Sequence, residues 1–303
     1  MKKLSVQYCG WGEDWPLGTL ADDGASLLFE YSPQALTQRL ELSPLCLKLR
    51  AETYGGFPDF QLRLPGLVAD SLPDGWGLLL MDRLFRQQGV RHPGPLDRLA
   101  FIGDRAMGAL SFMPATDAGT PPPDWTLLAL AQESSRVLAG EASDALRALA
   151  VAGGSPQGAR PKALVQYDAT TRRVSTRFDA PGSPWLVKFP AHEEHKEACA
   201  VEQLYAVLAR DCGLDMPDSA HFDLSRELAA FAVARFDREA GLRVPVHSLA
   251  GLLHADFRLP GSADYTGFLR ATRLLTRDER EVAKAYARAV FNVMFHNRDD
   301  HPK

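Results

Sequence analysis

Moving a phosphoryl group from a nucleoside triphosphate needs a cradle for the phosphates, cations to offset their charge, and a carboxylate to orient the accepting hydroxyl. Residues suited to each task occur in that order along this chain. The run Gly153-Gly154-Ser155-Pro156-Gln157-Gly158-Ala159-Arg160-Pro161-Lys162 stands just before an apolar strand pattern, where glycines let backbone amides approach phosphates closely. It is not a Walker-type loop, because Gly158 is followed by Ala159, nor a nucleophile elbow around Ser155, because position 157 is Gln. Taken alone, such a run is more often an ordinary connector.

Lys188 interrupts the apolar run Leu186-Val187-Lys188-Phe189, where an unpaired ammonium is costly to bury, so the sequence demands an anionic partner. Glu202, on the next helical pattern, can supply it in the strand-lysine to helix-glutamate arrangement that grips nucleotide phosphates. The plainer reading is a strand whose alternate face meets water. Further on, the apolar strand 229–233 turns into Ala234-Arg235-Phe236-Asp237-Arg238, a charged turn placed where a two-lobed kinase has its hinge. Phe236 there is equally readable as a core residue at a strand end. The terminal motif His296-Asn297-Arg298-Asp299-Asp300-His301-Pro302-Lys303 follows an apolar helix directly, giving a carboxylate a rigid support. Its D-x-H-P order is similar to the loop of small-molecule kinases of the choline and aminoglycoside kind, in which an Asn five residues after the Asp holds magnesium; that position would be 304.

Other polar clusters read as bland. His192-Glu193-Glu194-His195 spaces its histidines three apart rather than four, and acids at a helix start favour the dipole, so a solvated first turn is expected. A hydrolytic metal at His296, Asp299, Asp300 and His301 lacks an obvious companion set of ligands.

These side chains need elements to position them. The first hundred or so residues alternate short apolar runs with turn signals, as hairpins do, interrupted by a helix opening at Ser32-Pro33 and another from about Asp74 to Gln88, closed by Gly89. The prolines at 121–123 mark a linker, so a boundary is placed at 119/120. Helical patterns over about 124–139 and 142–151 lead into the glycine-rich run, followed by strand patterns over 163–167, 185–189 and 228–236, with a helix from about Glu193 to Cys212. A last helix is expected to start at Thr276, capped through Glu279, with an apolar face of Val282, Tyr286, Ala289, Val290 and Val293.

With 303 residues and 46% hydrophobic side chains, the chain can bury more than one core. A net charge of −4 without basic runs argues against direct nucleic-acid binding or a polybasic membrane segment. No stretch reads as a leader or a membrane span, and Cys9, Cys46, Cys199 and Cys212 lack metal or disulfide spacing, so a cytoplasmic location is expected.

Several motifs together resemble one family, the HipA-type serine/threonine kinases. Ser71-Leu72-Pro73-Asp74-Gly75-Trp76-Gly77 is similar to the signature of that family's amino-terminal subdomain, and Leu99 to Leu110 to the segment that follows it. The likeness continues through Gly-Ala-Arg-Pro-Lys at 158–162, Leu-Val-Lys-Phe-Pro at 186–190, Ala-Arg-Phe-Asp-Arg at 234–238, Gly251 to Asp256, and Asn-Arg-Asp-Asp-His-Pro-Lys at 297–303. It implies an α+β, two-lobed protein-kinase-like fold with an extra amino-terminal β-rich subdomain at 1–119, a nucleotide-binding lobe at 120–236, and the start of an incomplete helical lobe at 237–303. It implies a toxin of a toxin–antitoxin pair that uses ATP and Mg²⁺ to phosphorylate a serine on a protein such as an aminoacyl-tRNA synthetase, and that is bound by a DNA-binding antitoxin. Carried over, Lys188 and Glu202 serve the ATP phosphates with Gly154, Ser155, Gly158 and Ala159. Ala234 and Phe236 frame the adenine, Asp299 orients the substrate hydroxyl, His301 and Lys303 support the catalytic loop, and Ser155 is the autophosphorylation position. The family's metal-binding Asn after the lysine and its later Asp are missing, so no metal ligands are assigned within the chain and turnover by the chain alone is expected to be impaired. The alternatives are a catalytically dead antitoxin-binding module and a small-molecule phosphotransferase.

Overall fold

Strict alternation makes the first strand. In β1 (Lys2–Tyr8), Leu4, Val6 and Tyr8 face the core while Lys3, Ser5 and Gln7 face outward. It pairs antiparallel with β2 (Trp15–Asp22) and β5 (Leu110–Met113), and β3 (Leu27–Tyr31) and β4 (Thr53–Tyr54) extend the sheet in the order β4-β3-β2-β1-β5. Gly18 is required within β2, since a Cβ there would lie 2.6 Å from the Phe29 ring. Helix α1 (Pro33–Gln38) starts as expected, with the Ser32 hydroxyl accepting the Ala35 amide. Two helices that the sequence pattern did not announce, α2 (Gly66–Ala69) and α4 (Pro95–Ile102), flank α3 (Gly75–Gln87). Trp76, Leu80, Met81, Leu84 and Phe85 of α3 are buried, and Gly89 at φ +82° lets the chain turn away after its end.

The computed structural model describes residues 1–116, 123–141, 143, 145–153 and 155–303; the expected 119/120 boundary and Gly154 lie outside the described residues. Helices α5 (Leu127–Leu138) and α6 (Leu146–Gly153) precede a second antiparallel sheet of β6 (Lys162–Asp168), β7 (Arg173–Ser175), β8 (Ser183–Lys188), β9 (Ser219–Asp223) and β10 (Ala229–Ala234), ordered β7-β6-β8-β10-β9. Helix α7 (Glu197–Asp211) lies against β10 and β9 and starts four residues later than expected. The delay has a local cause: the Glu194 carboxylate accepts the Ala191 amide at 2.9 Å, folding 191–194 into a turn. One continuous apolar core joins both sheets, from Leu4, Val6 and Phe29 to Val165, Val187 and Ala230.

After a short hairpin, β11 (Arg238–Glu239) with β12 (Leu242–Arg243), the chain is helical: α8 (Leu249–Leu253), α9 (Tyr265–Thr276) and α10 (Glu279–Met294). Thr276 does not open the last helix. It ends α9, with its hydroxyl bonded back to the Thr272 carbonyl, and Asp278 caps α10 instead. Of the face expected to be apolar and buried, Val282 and Ala289 are buried, whereas Tyr286 and Val293 are about 60% exposed. Among the described residues, no helix is long and apolar enough to cross a membrane.

Candidate active site

The centre of the second sheet brings two lysines face to face. Lys188, at the end of β8, stands opposite Lys162 of β6 on one side and Phe231 of β10 on the other. Its amine reaches Glu202 of α7 at 2.8 Å and lies 5.7 Å over the Phe231 ring. Helix α7 can present Glu202 there because Cys199 and Ala206, on the same side of the helix, pack against Phe231 and Ala229. Glu202 also accepts a bond from Arg160, whose other arm bonds Glu194, so one carboxylate gathers a strand lysine and a loop arginine. Glu194 is accordingly not a solvated first-turn acid, although its neighbour Glu193 is 87% exposed.

Lys162 is the residue that sequence reasoning left out of the site. Its side chain is buried, and burial pushes the amine down to about 8, with Asp74 working in the opposite direction and Lys188 adding to the depression. The available signal was a lysine at the first position of an apolar strand, directly after a glycine-rich run.

That glycine-rich loop does not stand free. Ser155 is fully buried and its hydroxyl accepts the Met107 amide at 2.5 Å; Gln157 donates to the Asp70 carbonyl at 3.2 Å. The Gly158 amide donates to the Asp74 carboxylate, and the Gly158 carbonyl accepts the Trp76 amide at 3.3 Å. Gly158 is at φ +110°, and a Cβ there would sit 2.5 Å from the Lys162 amine. Ala159 lies so close to Gly75 that a Cβ on the latter would be 2.6 Å from the Ala159 Cα. The Asp74-Gly75-Trp76 turn is therefore a support for the loop, and the Gly158 amide, expected to face phosphate, faces a carboxylate.

The expected hinge is split in character. Ala234 ends β10 with its amide bonded to the Asp218 carbonyl at 2.8 Å, and Phe236 is 62% exposed rather than a core residue. The expected charged turn follows β10, and its charges point inward as a buried ion cluster. Asp237, with no exposed surface, accepts two bonds from Arg235 at 2.8 and 2.6 Å, one from Arg238 at 2.7 Å and the Gly108 amide at 2.8 Å. Burial works to raise its carboxyl, and the bonds and charges of Arg235 and Arg238 outweigh this and hold it below the usual range. Arg243 adds bonds to the carbonyls of Gly108 and Leu110, so the segment 104–110 is fastened to the hinge.

At the terminal motif, Asp299 is 96% exposed, with its amide held by Asn297 and its carboxylate 3.9 Å from His301. Asp300 accepts the Tyr265 hydroxyl, and the Pro302 carbonyl accepts the Ala250 amide at 2.8 Å, which ties the motif to α8. His301 packs on Phe257. Lys303 turns inward, 4.7 Å over the Phe257 ring and 3.7 Å from Asp74. The terminal motif and the glycine-rich loop thus meet at Asp74, while Lys188 and Glu202 lie beyond Lys162. Among the described residues, no group of three or more His, Cys, Asp or Glu side chains is arranged to hold a metal ion.

An antiparallel sheet that presents a lysine to a helix glutamate beside a glycine-rich loop, followed by helices, defines a kinase-like α+β protein. Comparison with known proteins gives the family. A family model described as the HipA-like C-terminal domain matches residues 154–303, and one described as the HipA N-terminal domain matches residues 11–113. The chain belongs to the HipA family. It is similar in fold to HipA of Shewanella oneidensis MR-1, solved with HipB and its operator DNA in a toxin–antitoxin system, with a TM-score of 0.67 and 19% identity over 99% of this chain and 71% of that one. No curated protein sequence matches.

Proposed function

We propose that this chain is the ATP-binding part of a HipA-type protein serine/threonine kinase, organised as an amino-terminal subdomain at 1–119, a nucleotide lobe at 120–236 and a helical region from 237. The observation that carries this reading is the Lys188–Glu202 pair at 2.8 Å, between a central strand and the helix packed on it. In it, Lys188 and Lys162 take the phosphates of ATP, Glu202 orients Lys188, and Ala234 and Phe236 border the adenine. Asp299, exposed and held on a bonded loop, accepts the proton of a serine hydroxyl on a protein substrate, an aminoacyl-tRNA synthetase being the class the family resemblance suggests. Magnesium would offset charge on the phosphates; no ligand set for it is assigned within this chain. Ser155 is the proposed self-modification position, and its complete burial means that a phosphoryl group reaches it only with the loop displaced. The proposed location is the cytoplasm.

The test is binding of a fluorescent ATP analogue to the purified chain, followed by transfer of labelled phosphate from ATP in the presence of Mg²⁺ to soluble proteins of the host. Lys188→Met is expected to weaken binding, and Asp299→Asn to leave binding intact while abolishing any transfer. A chain that binds no nucleotide would sink the reading.

A second reading has its own support in the similar HipA having been solved with HipB and operator DNA. Here the chain acts by docking a DNA-bound antitoxin without catalysis. Growth arrest that survives Asp299→Asn would favour it.

A further inference from the structure

Asp74 is an N-cap residue that does not cap. It precedes α3 in extended conformation, the setting in which an Asp side chain ordinarily accepts an amide of its own first turn, yet it makes no such bond. Its carboxylate instead takes the Gly158 amide of the glycine-rich loop and lies 3.7 Å from the amine of Lys303 in the terminal motif. Two backbone contacts make this a fitted joint. The Trp76 amide bonds the Gly158 carbonyl, and Gly75 leaves no room for a side chain against Ala159. Lys162, whose amine lies over Gly158, is the next positive group inward, and Lys188 stands opposite it across the sheet.

Resting on the nucleotide-binding reading above, we propose that Asp74 is a positioning residue: its carboxylate fixes the glycine-rich loop and the terminal motif in one relative geometry, so that the amino-terminal subdomain sets nucleotide affinity without touching nucleotide. The argument is one of connectivity. On one side Arg160 ties the loop to Glu194 and Glu202; on the other, the loop's described anchors in the amino-terminal subdomain come from residues 70–76 and 107, and Asp74 is the one among these that also reaches the terminal motif. Released from Asp74, the loop loses its charged anchor to the amino-terminal subdomain, and Lys303 loses its carboxylate at the same moment.

The same geometry allows an opposite role, in which the carboxylate occupies an anion site that phosphate would otherwise take. The two differ in sign. A hydrogen bond to a charged group changes an equilibrium constant by about tenfold to a hundredfold. Positioning therefore predicts that Asp74→Ala weakens binding of trinitrophenyl-ATP by at least about tenfold on this scale. Asp74→Asn keeps an acceptor for Gly158 and loses only charge, so it should weaken binding about fivefold, the difference between a charge-assisted and a neutral hydrogen bond. Amide exchange over 155–162, measured without nucleotide, should quicken in Asp74→Ala and stay near wild type in Asp74→Asn; thermal unfolding of both variants checks that they remain folded. Tighter nucleotide binding by Asp74→Ala, or wild-type exchange in that variant, overturns the proposal. Failure of the wild-type chain to bind the probe sinks the nucleotide reading instead, and the exchange measurement still decides whether Asp74 holds the loop.

Discussion

A carboxylate with no exposed surface among arginines is a stability determinant before it is anything else. Removing Asp237 leaves the guanidinium of Arg235 unpaired in the interior, and breaking a buried pair in this way costs about 3–5 kcal/mol. Asp237→Ala is expected to lower the unfolding free energy from urea titration by that amount, with Asp237→Asn intermediate. Because the folded carboxyl titrates below its ordinary value, its contribution is complete above about pH 4 and is lost as pH falls through the folded value. Acid unfolding of wild type below pH 4, flattened in Asp237→Asn, is the accompanying sign. The neighbouring constellation Ser43–His247–Asp70 has the distances of a hydrolytic triad, 3.0 Å and 2.7 Å, but Ser43 is fully buried, so no acyl group reaches its oxygen. Organophosphorus probes should therefore leave Ser43 unlabelled, as peptide mapping by mass spectrometry would show; labelling would contradict its burial. None of these three residues stood out in the sequence, because Ser43, Asp70 and His247 lie far apart and meet only through tertiary packing, α2 against α8 bringing Asp70 to His247.

At the scale of elements, what was readable followed from local chemistry. Ser32-Pro33 opens α1 and Gly89 follows the end of α3, because caps and left-handed turns depend on a few adjacent residues. Lys188 and Glu202 were readable as a pair because an ammonium in an apolar strand constrains what the next helix must carry. The start of α10 was misplaced because Thr276 and Asp278 both suit a cap, and the choice went to the residue left free once α9 had run to Thr276. Asp278→Ala should accordingly lower stability more than Thr276→Ala does, in paired denaturation curves. The contact of α2 with α8 was not readable at all. A Cβ on Gly66 would lie 1.9 Å from the Gly251 carbonyl oxygen, so the two helices meet backbone to backbone, and His254 accepts the Gly66 amide at 3.1 Å across the same seam. Burial, aided by the charge of His247, holds His254 below its ordinary value. The seam is therefore at full strength above about pH 6.5 and weakens as pH falls from there toward the folded value. A thermal midpoint that declines between about pH 6.5 and 5 in wild type, and less so in His254→Gln, is the expected result.

Over the whole molecule, hydrophobic spacing announces that a face is apolar but not whether anything covers it. Helix α10 carries Tyr286, Val290, Val293 and Met294 at 60%, 42%, 61% and 70% exposure, and α7 carries Val201, Leu204 and Tyr205 at 49%, 55% and 42%. The two helices touch where Tyr205 meets Phe295, bringing these side chains onto neighbouring surfaces near the Lys188–Glu202 pair and the terminal motif. Apolar side chains grouped on helix faces in this way favour association driven by water release. The isolated chain should bind anilinonaphthalene sulfonate in its native state and show a light-scattering mass that rises with concentration and with added sulfate. Leu204→Lys combined with Val293→Lys should reduce both while leaving the unfolding free energy within about 1 kcal/mol of wild type, since neither side chain is in the core. If dye binding and association are unchanged in that double variant, the exposed surfaces of α7 and α10 are not their source.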